Sequence, residues 1–471
     1  MLNVPAAVRF TSDVWDEQII PTLCEYIRIP NKSPMFDPQW EANGHMQQAV
    51  EMLAGWADNM SIGGLQTEII SLPGRTPVIF AEVPSTGGDQ TVLLYGHYDK
   101  QPEFSGWAEG LDPWLPVIRD NRLYGRGGAD DGYAWFASLC AIAALENQNI
   151  PHGRCVALIE GCEESGSFDL PFYVAALKDR IGNPDLVVCL DAECGNYDQL
   201  WLTSSLRGML PGTLSVTVLT EGQHSGAAGG IVPSSFRILR NLLDRIEDSQ
   251  TGTLHECLHV DIPQHAITQL NQVAQTLGPV VLQKFPWAGN TGPEADDVTE
   301  VLINNAWRPS LATVGLSGAP EVHNAGNTLR PMTCAKLVIR LPPTADAAAC
   351  AQTIKSVLEA DPPYGAQVKF DLDTAQTGWL APAPAAWLEE SAERASRQVF
   401  GRSAMYMGMG GTIPFMKMLG DAYPDVQFMV SGVLGPKSNA HGPNEFLDIS
   451  TGKRLTVCVS MVLADHAARP T

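Results

Sequence analysis

Three short runs of apolar residues stand out in the first half of the chain: TVLLYG (Thr91 to Gly96), CVALIEG (Cys155 to Gly161) and LVVCLD (Leu186 to Asp191). Between them, Tyr133 to Asn147 and a stretch near Leu170 to Leu177 carry apolar residues at helical spacing. Unbroken apolar runs alternating with helices are the βαβ rhythm of a largely parallel sheet, whose strands are buried on both faces. From Leu206 the pattern changes. MLPGTLSVTVLTEG alternates with period two, Ser234 to Asp248 has helical spacing, and CAKLVIRL forms a further strand ending at Leu341. From Pro384 the first pattern returns, with a helix over Ala385 to Phe400, a strand in VQFMVSG and a final helix over Ser450 to Ala467. The economical organisation is an α/β domain of residues 1–205 and 383–471, interrupted by a smaller α+β domain of residues 206–382 with an open sheet.

Composition changes this picture little. A length of 471 residues suits two cores better than one, and 45% apolar with 17% charged residues is that of a folded globular chain. The formal charge of −22 repels phosphate backbones and argues against a nucleic-acid partner. No apolar run approaches the roughly 20 residues of a membrane span; the longest, Phe136 to Leu145, reads as a buried helix, so no membrane association is expected. The opening MLNVPAAVRFTSDVWDEQ has no basic start followed by an apolar core, which makes a cytoplasmic protein the expectation. The ten cysteines form no CxxC pairs, and most are expected to be buried thiols.

Ligands collect at the carboxyl ends of parallel strands, so the polar residues there are the candidates. His97 and Asp99 follow the first run, Asp130 and Asp131 lie in GRGGADDG, Glu163 and Glu164 follow the second run, Asp191 ends the third, and His441 lies in NAHGPNE. Any one of these is more often a capping or core group than a ligand. Together they crowd like charge at one sheet edge, which is costly unless cations neutralise it. Imidazole mixed with carboxylate suits zinc, manganese or cobalt. A pair of ions roughly 3.5–4 Å apart needs one bridging carboxylate and about two further ligands each. The set supplies that count: Asp130 as the bridge, His97 and Asp191 on one ion, Glu164 and His441 on the other. Glu163 is left free as a general base toward water, and Asp99 is placed to orient the His97 imidazole.

These residues, in this order, resemble the dinuclear zinc amidohydrolases that include carnosinases, aminoacylase and carboxypeptidase G. GHYDKQP, GRGGADDG, EGCEESGS and SNAHGPNE carry the resemblance, which spans most of the chain. It implies a zinc-exopeptidase-like sheet flanked by helices, an inserted lid and dimerisation domain, and a cis peptide bond between Asp130 and Asp131. It further implies that His224, in GQHSGAAGG, reaches the neighbouring subunit's active site in a homodimer to polarise the scissile carbonyl. Asn327, Arg340, Gly411 and Thr412 match positions that hold the substrate's carboxylate or its equivalent. Asp191 in place of Glu goes, in relatives, with dipeptidase activity, so the implied substrate is a dipeptide or small peptide with a free carboxylate; the alternative is an N-acyl or N-carbamoyl amino acid. Two departures bear on pocket shape. Gly132 and Tyr133 stand where relatives carry Lys after the paired aspartates, and Lys100 stands where they carry an apolar residue.

Other signals point elsewhere. HECLH (His255 to His259) fits the HExxH zinc-protease pattern, but Leu258, Val260 and Ile262 at period two, with Pro263 close by, predict an extended segment whose histidines share no helical face. Two aspartates in GRGGADDG would repel a dinucleotide phosphate. GLSGA and CGN complete no serine or cysteine nucleophile.

Overall fold

The computed structural model describes residues 2–469; Met1, Pro470 and Thr471, which the expected domain limits include, lie outside the described residues. The central sheet has six strands in the order Gln66–Ile70, Val78–Val83, Arg154–Glu160, Thr91–His97, Leu186–Cys189 and Gln427–Val430. The last four run parallel, whereas the first two join antiparallel at one edge. The parallel part is the part whose carboxyl ends carry the candidate site. Its register sets His97 beside Glu160.

Both faces of this sheet are covered. The helix Tyr133–Glu146 is buried from Tyr133 to Leu145, as expected of a helix apolar all round. It packs beside the long C-terminal helix Ile449–Ala468, where Ser460 Oγ donates to the Ala141 carbonyl at 3.1 Å. Asp448 caps that helix by accepting from Thr451 N at 2.9 Å, satisfying an amide that has no intrahelical partner. Trp15 donates from Nε1 to Thr456 Oγ1 at 3.1 Å and seals the N-terminal segment against the same layer. The opposite face is filled by a second cluster that includes Tyr173, Phe415, Met416 and Leu419.

A second, wholly antiparallel sheet has the order Ser310–Ser317, Met332–Leu341, Gly208–Thr217, Gln367–Leu372. Gly208–Thr217 alternates buried and half-buried residues along its whole length, as the period-two pattern predicts. Leu210, Leu214, Leu337 and Ile339 face a cluster closed by the helices Ser235–Leu243 and Ala347–Glu359. Arg340, one residue out of phase, stands on the half-open face. The chain enters and leaves this sheet side by side: a Cβ on Gly208 would lie 2.5 Å from the Gln376 carbonyl, and one on Gly378 would lie 2.5 Å from the Leu206 carbonyl. Only glycine allows so close a backbone approach.

Two local expectations change. The helix expected over Ser234 to Asp248 ends at Leu243, with Ser234 as its cap. HECLH is neither helix nor strand: Glu256–Leu258 form one 3-10 turn, capped by His255 Nδ1, which accepts from Cys257 N at 3.2 Å, while His259 Nε2 donates to the Leu254 carbonyl at 3.0 Å. Both imidazoles are used by local backbone groups, which outcompete the weak alternation of the flanks.

Candidate metal centre

At the carboxyl end of the central sheet, two triads of possible ligands share one residue. His97, Asp130 and Asp191 form the first; Asp130, Glu164 and His441 form the second; within each, the ligand atoms lie within 4.8 Å of one another. His97 ends its strand, Asp130 sits in the turn that starts Tyr133–Glu146, Glu164 lies in a 3-10 turn after Arg154–Glu160, and Asp191 follows Leu186–Cys189. His441 comes from the late loop. The Asp130 carboxylate is divided between two imidazoles: Oδ1 lies 3.2 Å from His97 Nε2 and Oδ2 lies 3.1 Å from His441 Nε2. His97 Nε2 is also 3.7 Å from Asp191 Oδ2, and His441 Nε2 is 3.1 Å from Glu164 Oε2. The peptide bond between Asp130 and Asp131 is cis.

Around this group the hydrogen bonds orient the ligands. His97 Nδ1 lies 3.1 Å from the Asp99 carbonyl and 3.4 Å from its carboxylate, so the nearer acceptor for the ring N–H is backbone. The Asp99 carboxylate instead accepts from Glu163 N at 3.1 Å and Glu164 N at 3.0 Å, tying the two-glutamate turn to the His97 strand end. Asp131 Oδ2 accepts from His97 N at 3.3 Å.

The electrostatics of the buried cluster are unbalanced. Burial would lower the His97 pKa, but Asp191, Asp130 and Asp99 outweigh it and hold it well above the ordinary histidine value. Burial raises the Glu163 and Asp191 carboxyls well above theirs, with further contributions from Glu164 and Glu160 on the former and from Asp131 and Asp130 on the latter. Glu164 Oε1 and Asp131 Oδ1 are buried without a hydrogen-bond partner. Buried, mutually repelling carboxylates with an orphaned oxygen fit a cation-binding site, and the mixture of nitrogen and oxygen donors fits a borderline divalent ion.

The remaining predicted residues fall in two places. His224 is exposed on the two-residue strand Gln223–His224, paired with Thr328–Leu329, and the Asn327 carbonyl accepts from Ser225 N at 2.8 Å beside the same strand pair. No hydrogen bond or ion pair joins His224 to the carboxylate cluster among the described residues. Arg340 reaches Thr412, donating from Nη1 to Oγ1 at 3.1 Å, and a Cβ on Gly411 would meet open space. Arg207, which the sequence reading passed over, completes this second cluster. Its Nε donates to the Gly410 carbonyl at 3.1 Å and its own carbonyl accepts from Thr412 Oγ1 at 2.6 Å. Burial, and then Arg340, push the Arg207 pKa down to about 10. Neither arginine has an acidic partner at ion-pair distance among the described residues.

Lys100 and Gly132, two of the departures in sequence, are taken up by packing against the Ile20–Ile27 helix. Lys100 is fully buried and donates to the carbonyls of Tyr26 at 2.7 Å and Ile29 at 2.8 Å, closing the end of the helix Ile20–Ile27. A Cβ on Gly132 would lie 2.4 Å from the Tyr26 ring and 2.6 Å from the Gly127 carbonyl, so no lysine fits there.

A mostly parallel sheet gathers imidazoles and carboxylates at its strand ends, with an open-faced antiparallel sheet in the intervening chain, an arrangement suited to metal-dependent hydrolysis. The chain belongs to peptidase family M20/M25/M40, whose sequence pattern matches residues 93–464. It is 27% identical over 428 residues to human Beta-Ala-His dipeptidase, covering 86% of this chain and 82% of that one. It is 26% identical over 364 residues to the cysteinylglycine-S-conjugate dipeptidase of Corynebacterium striatum, covering 77% and 78%. The solved structure of the di-peptidase Dug1p of Saccharomyces cerevisiae superposes with a TM-score of 0.80 at 21% identity, covering 100% of this chain and 99% of that one.

Proposed function

We propose that this peptidase is a dinuclear metal-dependent dipeptidase, acting on dipeptides or small peptides with a free carboxylate. One observation carries the reading: the two oxygens of buried Asp130 face different histidines, each backed by a further carboxylate. His97, Asp130 and Asp191 would hold one ion and Asp130, Glu164 and His441 the other, zinc first, with manganese or cobalt as alternatives. Bound there, the ions supply Lewis acidity and lower the pKa of water.

The chain's own residues do the rest. Glu163 belongs to neither triad, and its turn is held by Asp99. Its carboxylate takes the proton of the attacking water and returns it to the leaving amine nitrogen. Arg340 offers a two-pronged donor to the substrate's carboxylate, with Thr412 and Gly411 at the same end, while Asn327 would approach the substrate from beside His224. His224 Nδ1 accepts from Gly226 N at 3.1 Å, which leaves the ring proton on Nε2, a donor for the scissile carbonyl oxygen.

His224 is exposed, and the same inserted segment leaves Ile231 and Val322 exposed by 81% and 91%; a second copy of the chain would cover such apolar surface and receive His224 in trans. The division into residues 1–205 with 383–471 and an inserted 206–382 is supported by the side-by-side crossings at Gly208 and Gly378.

The test is metal uptake with turnover. The wild-type chain should retain two ions and hydrolyse dipeptides in preference to N-acyl amino acids. Glu163→Ala should retain both ions and lose about 10²- to 10⁴-fold in kcat. Near-normal turnover in Glu163→Ala would remove Glu163 from the mechanism, and a chain that takes up no zinc, manganese or cobalt would remove the reading.

A further inference from the structure

His441 sits in a loop that has little of its own to hold it. Its side chain is 56% exposed, and Lys437, Asn439, His441 and Asn444 all have left-handed backbone, with φ of 68°, 56°, 58° and 63°. Such conformations are unfavourable for residues other than glycine, less so for asparagine, and persist only where the surroundings impose them. Asn439 closes the loop on itself through the Pro443 carbonyl, and Asn444 Oδ1 accepts from Ala108 N at 2.7 Å at its rim. Neither bond relates His441 to Asp130.

The link between the two loops is a buried ion pair. Arg126 Nη1 donates to Glu445 Oε2 at 2.7 Å, with side chains 1% and 0% exposed. Arg126 then reaches across to donate from Nη2 to the Gly442 carbonyl at 2.6 Å, next to His441. Glu445 reaches the other way: its Oε1 accepts from Gly127 N at 3.0 Å and from Ala129 N and Asp130 N at 3.3 Å each. Each partner thus holds the loop that the other belongs to. The pair fixes the backbone beside both residues whose side chains meet at 3.1 Å.

We propose that Arg126 and Glu445 are positioning residues that set His441 against Asp130 and so create the Asp130, Glu164 and His441 cation position, leaving the His97, Asp130 and Asp191 position largely independent. This rests on the two-ion reading above. A buried ion pair often adds little net stability compared with an apolar pair, and the contacts of this one fall on the backbone of both loops.

The experiment counts ions. Wild type, Arg126→Met, Arg126→Lys and Glu445→Gln are stripped with chelator and titrated with zinc, and with cobalt to read the visible absorption of each position. Wild type should bind two ions. Arg126→Met should keep one with near wild-type affinity and bind the second about 10- to 100-fold more weakly, the usual consequence of removing a group that orients a ligand. Arg126→Lys, which keeps the charge, should recover part of the loss. Glu445→Gln keeps an acceptor for the three amides and removes the charge, so it should show the same selective loss if Arg126→Met does not fold. Equal weakening of both ions, or two ions bound as in wild type, would overturn the proposal. A wild-type chain that binds only one ion would overturn the two-ion reading itself.

Discussion

Asp130 and Asp99 divide the labour that a single carboxylate cannot do. Asp130 faces both imidazoles, while Asp99 spends its two oxygens on backbone amides of the neighbouring turn and holds His97 through its carbonyl. The roles assigned to these side chains in sequence came from residue type and strand-end position; which atom does the holding depends on backbone geometry that no motif encodes. Cysteine presents the opposite case. All ten thiols are free and seven are buried, and burial pushes Cys140 and Cys155 up to about 12. A thiol whose folded pKa is raised stays protonated until the pH approaches that value, and thiolate is the reactive form. Raising the pH from 7 to 9 should therefore leave Cys140 and Cys155 unlabelled by an alkylating reagent in the folded protein, while both label readily in denaturant. Mass-spectrometric mapping checks this, and rapid labelling of either in the native state would contradict its burial.

Strands act here as addressing devices. Three of the four parallel strands each lead into one ligand, His97, Glu164 or Asp191, and period-two alternation in Met332–Leu341 puts Leu337 and Ile339 into a core while turning Arg340 toward Thr412. The buried Arg207 and the half-buried Arg340 lie together with no acid at ion-pair distance among the described residues, an arrangement that would suit an anionic ligand. Arg340→Met should raise KM for dipeptides by about 10- to 100-fold, the scale of a lost charge-assisted hydrogen bond, with a smaller effect on kcat. The same substitution should barely affect a dipeptide amide, which has no carboxylate. Equal losses on both substrates would show that Arg340 does not read the carboxylate.

For the whole molecule, the exposed His224 and the exposed apolar residues Ile231, Val314, Leu316 and Val322 of the inserted segment ask for a partner surface. If a second copy provides it and receives His224, mixing inactive His224→Ala with inactive Glu163→Ala should restore activity, because half the random dimers hold one complete site; roughly a quarter of the wild-type rate is expected. No recovery after verified subunit exchange would place His224 in its own chain's site or outside catalysis. The parallel sheet, the interrupting α+β segment and the eight strand-end residues of the candidate centre were legible along the chain, because burial on two faces writes unbroken apolar runs and burial on one face writes alternation. The antiparallel edge hairpin and the local use of both HECLH histidines depend on turn geometry that the apolar pattern does not carry, while the inward turn of Lys100 and the placing of Arg207, Arg126 and Glu445 were settled only by contacts between segments far apart in sequence. A charged residue looks the same in sequence whether it meets solvent, a carbonyl or a buried partner more than 300 positions away, and only the folded chain brings that partner within hydrogen-bond reach.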